Sequence, residues 1–264
     1  MDKQFKIDKT FLESNQYTEE GIKSYEFIFG EDFISSGGLD ATIKILNDIE
    51  LNENSKILDI GSGLGGGCKY LNKKYGAHVY GIDISEKMVN IAKKRNIENK
   101  KIEFEANDIL MKHFPENTFD MIYSRDSILH LPLENKKKLF EKCYSWLKPN
   151  GILLVTDYCA SKPEKWDKEF KEYVKQRKYT LTTVEEYKDL LISSKFKNVI
   201  SKDISDFWLE LLETEVKKLE DKKDEFLKQF STEEYNTLRD GWTRKIKDSK
   251  KKIQMWGYFK AVKC

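Results

Sequence analysis

Of the 264 residues, 35% are charged, yet the formal net charge is only +2, so there is no basic face of the kind a nucleic-acid binder carries. The charges are interspersed along helical stretches, as on solvated surfaces. No apolar run approaches the roughly 20 residues that span a bilayer, and the N-terminus has no signal-peptide core. Cys68, Cys143, Cys159 and Cys264 share no metal-type spacing and the histidines are scattered, which predicts free thiols, no metal site and a cytoplasmic protein. The length suits one domain with an elaboration.

Residues 1–50 exceed the lead-in that an α/β core needs. Phe11, Leu12, Tyr17, Ile22, Tyr25, Phe27, Ile28 and Phe29 punctuate this stretch and predict short helices forming a lid over the ligand edge of a sheet. Ser35-Ser36-Gly37-Gly38 reads as a loop and N-cap for a helix from Leu39 to Asp48. The core, 51–159, opens on Lys56-Ile-Leu-Asp-Ile-Gly-Ser-Gly-Leu-Gly-Gly-Gly-Cys-Lys-Tyr-Leu71: a strand ending near Asp59, a turn nearly free of side chains, and a helix from Cys68 to Tyr75. Gly61, Gly63 and Gly66 also fit the dinucleotide spacing GxGxxG, so the glycines alone are a weak signal. A second apolar run, His78 to Ile84, carries Asp83 at its end, where an acid can grip ribose hydroxyls. A third, Ile102 to Ala106, leads into Asn107-Asp108-Ile109, and a fourth, Phe119 to Tyr123, into Ser124-Arg125-Asp126. An apolar-periodic helix to Trp146, the tag Leu147-Lys148-Pro149-Asn150-Gly151 and a fifth run, Ile152 to Thr156, complete the core.

Beyond it, 160–250 reads as a helical substrate-binding insertion. Helices are expected at 163–177 and 183–194, a strand from Asn198 to Ile204, a long amphipathic region at 206–230 and a shorter one near 232–250. The last segment, 254–263, alternates and is aromatic, as a final strand would be.

This ordered series resembles the class I S-adenosylmethionine-dependent methyltransferases. The resemblance implies an α/β fold: a Rossmann-like, mostly parallel sheet with an antiparallel last strand and helices on both faces. It also implies that the glycine loop holds the methionine end of the donor, Asp83 its ribose, and Asp108-Ile109 its adenine. A hydride-transferring dehydrogenase would share the glycines and Asp83 but not the later landmarks.

Methyl transfer from a sulfonium is an in-line displacement, needing alignment, exclusion of water and a deprotonated nucleophile. An amine acceptor arrives as an ammonium and must lose a proton, to a carboxylate or imidazole near the methyl group. Asp126 and His130, four residues apart at the start of a helix, would face the same side. The plainer alternatives are a helix N-cap and a satisfied core histidine. The (Asp/Asn)-Pro-Pro-(aromatic) tetrapeptide is missing, which argues against nucleic-acid bases and planar amides as acceptors. A second cluster, Tyr173, Lys175, Gln176, Arg177, Lys178 and Tyr179, packs guanidinium, ammonium and phenol donors closely enough to suit a phosphate. Its alternative is a solvated basic helix end. Lys245 is another donor that the C-terminal helices could return to the same pocket, and tyrosine faces favour a cationic amine. The implied pocket has a phosphate end and an amine end.

Beyond the core, the whole chain resembles the phosphoethanolamine N-methyltransferases. It is similar to the small single-domain enzymes of protozoan parasites and to the second half of the larger plant ones. The residues that carry the likeness are Asn15-Gln16-Tyr17-Thr18, Phe33-Ile34-Ser35-Ser36-Gly37-Gly38, Ser124 to His130, Asp157-Tyr158-Cys159, Gln176 to Thr180, and Gly241-Trp242-x-Arg244-Lys245. That family makes phosphocholine, for phosphatidylcholine synthesis, by three successive transfers onto phosphoethanolamine. The resemblance implies that Tyr17 and His130 form a dyad closing the site, with Asp126 on the amine. Gln16, Tyr25, Tyr158, Tyr173, Arg177, Tyr179 and Lys245 would then line the phosphate end. Ile34, Ser35, Gly61, Gly63, Asp83, Ile84, Asp108, Ile109 and Arg125 would contact the donor, S-adenosyl-L-methionine, which leaves as S-adenosylhomocysteine. By itself Tyr17 reads as an ordinary core aromatic. A carbon or oxygen methyltransferase with a quinone or sterol acceptor, and a donor-binding module without turnover, are the competing readings. A monomer with no nucleic-acid partner and no stable membrane insertion is expected, at most peripheral to internal membranes.

Overall fold

The computed structural model describes residues 18–264. Seven strands form one sheet in the order β3-β2-β1-β4-β5-β7-β6. The parallel part comprises β1 (Lys56–Ile60), β2 (His78–Asp83), β3 (Ile102–Ala106), β4 (Phe119–Arg125) and β5 (Leu147–Ala160). β7 (Gln254–Val262) runs antiparallel to β5, and β6 (Lys197–Asp203) antiparallel to β7. Strand β1 lies mid-sheet and is buried at all but its first residue, as a strand covered on both faces should be. The order reverses direction beside β1, between β2 and β4, which opens a crevice beyond their carboxyl ends.

Helices cover both faces. In chain order these are α1 (Glu19–Phe29), α2 (Gly38–Ile45), α3 (Gly66–Tyr75), α4 (Glu86–Arg95), α5 (Leu133–Trp146), α6 (Lys168–Gln176), α7 (Val184–Ser193), α8 (Ser205–Asp221), α9 (Lys223–Leu227) and α10 (Thr232–Lys250). One core cluster joins Ile57, Leu71, Val79 and Tyr123 to Trp208, Leu212, Trp242 and Trp256. A second, on the opposite face, joins Leu58, Ile122 and Val155 to Leu139, Trp146, Tyr187 and Phe259. Local chemistry sets several helix starts. Ser85 accepts from the Met88 amide, and Thr183 and Glu186 form a reciprocal capping box at α7.

Several local expectations change. The expected helix 39–48 spans only Gly38–Ile45, and its N-cap is Gly37, left-handed at φ 76° with no side-chain bond, instead of a serine. Ser36 is buried, and its carbonyl accepts from Arg125. The expected helix 163–177 splits at Trp166 into a 3-10 turn, Pro163–Lys165, and α6, which Asp167 caps. The expected region 206–230 breaks at Lys222 into α8 and α9. The strand expected from Asn198 to Ile204 is present as β6, Lys197–Asp203, and joins the sheet beside β7.

The reading of Asp126 and His130 as neighbours on one helix does not hold. Asp126 is left-handed at φ 54°, and its amide still donates to the Thr156 carbonyl at 2.8 Å. Ile128–His130 is a 3-10 turn, and α5 begins only at Leu133, behind Pro132. Among the described residues, no helix is long and apolar enough to cross a membrane.

Candidate active site

The crevice continues into a cavity walled by the ends of β1, β2, β4 and β5, the second half of α1 and the loop from it to α2, the 3-10 turn, and residues from α6 and α10. Its first half is made largely of backbone. Gly61 and Gly63 have φ of 74° and 52°, a region that glycine enters without a steric penalty. A Cβ on Gly61 would collide with the Ser127 side chain, and one on Gly67 would lie 2.9 Å from Asp59 Oδ2. The loop is therefore a cradle that only glycine can form.

Asp83 is held by this loop and the next. Its Oδ2 accepts from the Gly63 amide at 2.9 Å and its Oδ1 from the Ser85 amide at 2.9 Å. A carboxylate oxygen can accept more than one hydrogen bond, as gripping a ribose hydroxyl would require. Ile34, Ser35, Gly61, Gly63, Asp83, Ile84, Ile109 and Arg125 all line the cavity. Asp108 does not: its Oδ1 accepts from the Leu110 amide at 2.9 Å and turns the chain, leaving Asn107 and Ile109 on the wall. Buried Arg125 donates to the carbonyls of Ser36 and Gly38 and to Thr42 Oγ1, the last at 2.6 Å, so it also braces the loop over the crevice. Asp59 beneath the loop accepts from the Cys68 thiol at 3.2 Å, and burial pushes its carboxyl up to about 7.

The second half is aromatic and ionic. Asp126 Oδ1 accepts from the Trp256 indole at 2.7 Å and from the Thr156 hydroxyl at 3.4 Å. Its Oδ2 is buried without a hydrogen bond among the described residues. Burial raises this carboxyl above its usual range, opposed by the charge of Arg125, the indole bond and the charge of Lys245. An incoming ammonium would meet an under-satisfied acceptor. His130 stands edge-on to Tyr179 at 5.2 Å. Burial first, then the charges of Lys136 and Arg177, hold its imidazole at about 4, so at neutral pH it carries a free lone pair.

Tyr25, Tyr158, Tyr173, Arg177, Tyr179 and Lys245 share the same wall. Tyr179 packs against Tyr173 at 5.8 Å and Tyr158 at 6.3 Å, while Arg177 hydrogen bonds Tyr25. Lys245 lies 5.5 Å from the Tyr158 ring, and Arg244 sits over the Tyr173 ring at 3.2 Å. The Tyr173 hydroxyl is buried and unbonded among the described residues. Burial and the charges of Arg177 and Arg244 lower the Lys245 ammonium from its ordinary value, with Glu215 and Asp126 opposing. Crowded cations of this kind gain from a dianion placed among them. Gln16 and Tyr17, expected at this end, lie outside the described residues.

Sequence reasoning missed Trp256, Asn107 and Glu215. Trp256 was legible only as an alternating residue of the last strand. Glu215 lies in an amphipathic helix with no local signal, yet it is buried and accepts from the Gly37 amide on the crevice loop. Among the described residues, no group of three or more His, Cys, Asp or Glu side chains could hold a metal ion.

A methyltransferase-domain family matches residues 57–151. The chain is 70% identical over 256 residues to the phosphoethanolamine N-methyltransferase of Plasmodium falciparum, covering 97% of this chain and 96% of that one. It is 43% identical to phosphoethanolamine N-methyltransferase 1 of Zea mays, over 97% of this chain but 50% of the maize protein. In three dimensions it resembles phosphoethanolamine N-methyltransferase 2 of Haemonchus contortus, solved with phosphomonomethylethanolamine and S-adenosylhomocysteine. The TM-score is 0.92 at 34% identity, covering 97% of this chain and 59% of that one.

Proposed function

We propose that this chain, which belongs to the phosphoethanolamine N-methyltransferase family, converts phosphoethanolamine to phosphocholine by three successive methyl transfers, supplying phosphatidylcholine synthesis. The observation that carries the reading is the two-ended cavity: a glycine cradle with a fixed acid on one side, and Arg177 and Lys245 among tyrosines on the other. S-Adenosylmethionine fits the first half, where the side-chain-free loop admits close backbone approach and Asp83 offers acceptors for ribose hydroxyls. That donor supplies an electrophilic methyl group on a sulfonium.

The chain's own residues do the remainder. Arg177 and Lys245, with the hydroxyls of Tyr25, Tyr173 and Tyr179, hold the phosphate and so set where the nitrogen lies. Asp126, kept in place by Trp256, faces the ammonium and draws it toward the donor half. His130, neutral at pH 7, accepts the proton that the amine releases. Tyr17, on the strength of the family resemblance, closes the site with His130. The aromatic walls exclude water and tolerate the growing methylammonium through their ring faces. As methyl groups accumulate the amine loses N–H donors, so phosphate anchoring carries more of the binding. We assign residues 1–50 to the lid, 51–159 to the donor core and 160–250 to the acceptor side, in a monomeric protein.

Arg177→Met and Lys245→Met test the phosphate assignment. Each raises the phosphoethanolamine KM by about ten-fold or more, the worth of one charge-assisted hydrogen bond, and leaves the donor KM nearly unchanged. Normal acceptor KM in both variants would remove the phosphate from this end. A quinone or sterol acceptor would want an apolar wall where these cations and phenols stand.

A further inference from the structure

Lys136 on α5 is fully buried, although an ammonium is costly to take out of water. It is not part of the cavity wall. Its Nζ donates to the Thr180 carbonyl at 2.8 Å, lies 3.9 Å from Asp157 Oδ2, and is 5.5 Å from the centre of the Tyr187 ring. Tyr187 donates its hydroxyl to the same Asp157 oxygen at 3.2 Å and stacks on Phe259 at 4.0 Å. The Thr180 amide in turn donates to the Leu129 carbonyl at 2.8 Å, and the Leu129 amide faces the Asp157 carboxylate.

These contacts close a circuit behind the acceptor half. Leu129 precedes His130 in the 3-10 turn. Thr180 follows Tyr179 and ends the segment that begins at Arg177 and bends through Lys178 at φ 53°. The amides of Arg177, Lys178 and Tyr179 donate back to the α6 carbonyls of Tyr173, Lys175 and Val174 at 2.9, 3.1 and 3.0 Å, and the next amide, that of Thr180, crosses to the 3-10 turn. Lys136 therefore ties the residues on the phosphate side to the turn on the amine side.

We propose that Lys136, braced by Asp157 and Tyr187, is a positioning residue that fixes the span between Arg177–Tyr179 and His130 and so fits the site to its acceptor. The inference builds on the phosphoethanolamine reading above. It gives the buried charge a role that packing alone would not need, since a methionine fills the same space without the desolvation cost.

Steady-state kinetics of Lys136→Met and of Lys136→Met/Asp157→Asn test it, with phosphoethanolamine and S-adenosylmethionine varied in turn. The double variant leaves no lone buried charge and serves where the single one is poorly folded. In both, the acceptor KM rises about ten-fold, while the donor KM and the affinity for S-adenosylhomocysteine stay within about two-fold. Lys136→Gln, which retains an N–H donor toward Thr180, recovers part of the loss. Wild-type acceptor KM in both variants overturns the proposal. So does a parallel rise in acceptor and donor KM, or a protein that folds in neither case, because each marks a general structural role. Failure of the unmodified protein to turn over phosphoethanolamine would count instead against the function itself.

Discussion

His130 is kept unprotonated by its surroundings, at a cost in basicity. Burial and two nearby cations keep its imidazole neutral at about 4, and a phosphate dianion arriving beside Arg177 would restore basicity where it is needed. Replacing it with alanine lowers kcat by about 10²–10⁴, the range of a lost general base, with the donor affinity intact by calorimetry. Lys245 gives a pH signature of the opposite sign. An exposed lysine stays charged to about pH 10, but burial and the neighbouring guanidinium groups lower this one. Its charge is present at low pH and lost as pH rises. The ratio of wild-type to Lys245→Met kcat/KM for phosphoethanolamine is therefore largest in acid and shrinks with rising pH, well before pH 10. A ratio independent of pH would show that Lys245 carries no titrating share of the grip. At this scale the sequence was partly legible. Asp126 and His130 were identified by position after the fourth strand, but the helical spacing offered for them fails: a left-handed Asp126 and a 3-10 turn bring them to the same wall instead. Trp256, which holds Asp126, lies 130 residues away and has no local signal.

The element that most directly joins the two halves of the cavity is the loop between α1 and α2. Gly38 has φ of 45°, its carbonyl accepts from Arg125 at 2.9 Å, and a Cβ there would strike the Phe29 carbonyl oxygen. Gly38→Ala therefore costs about 1–3 kcal/mol from backbone strain, seen as a lower urea midpoint, and raises the donor KM because Arg125 loses its seat. Unchanged stability and donor KM would mean that the loop can re-form around a side chain. The strand-loop-helix unit from Lys56 to Tyr75 was readable because its glycines and β-branched run report local backbone geometry. The breaks at Trp166 and Lys222 were not, since both interrupt sequences whose amphipathic pattern continues across them.

Across the whole molecule, the antiparallel pair β7–β6 does two jobs. It completes the sheet beside β5 and delivers Trp256 under Asp126. The parallel core and the alternating last strand were legible from periodicity. The strand at 198–204 was legible too, but its position at the sheet edge, antiparallel to β7, depends on a tertiary partner. Helices α8 and α10 likewise contribute Glu215 behind the crevice loop and Lys245 in the cavity wall from sequence far beyond the nucleotide-binding motifs. The catalytic account depends on these distant parts meeting around one small bipolar acceptor. The most direct test incubates the protein with methyl-labelled S-adenosylmethionine and, separately, phosphoethanolamine, ethanolamine and phosphatidylethanolamine, then resolves the products. The account predicts label passing through mono- and dimethyl intermediates into phosphocholine from phosphoethanolamine alone. Label on ethanolamine or on the lipid, or none on the phosphorylated base, would contradict it.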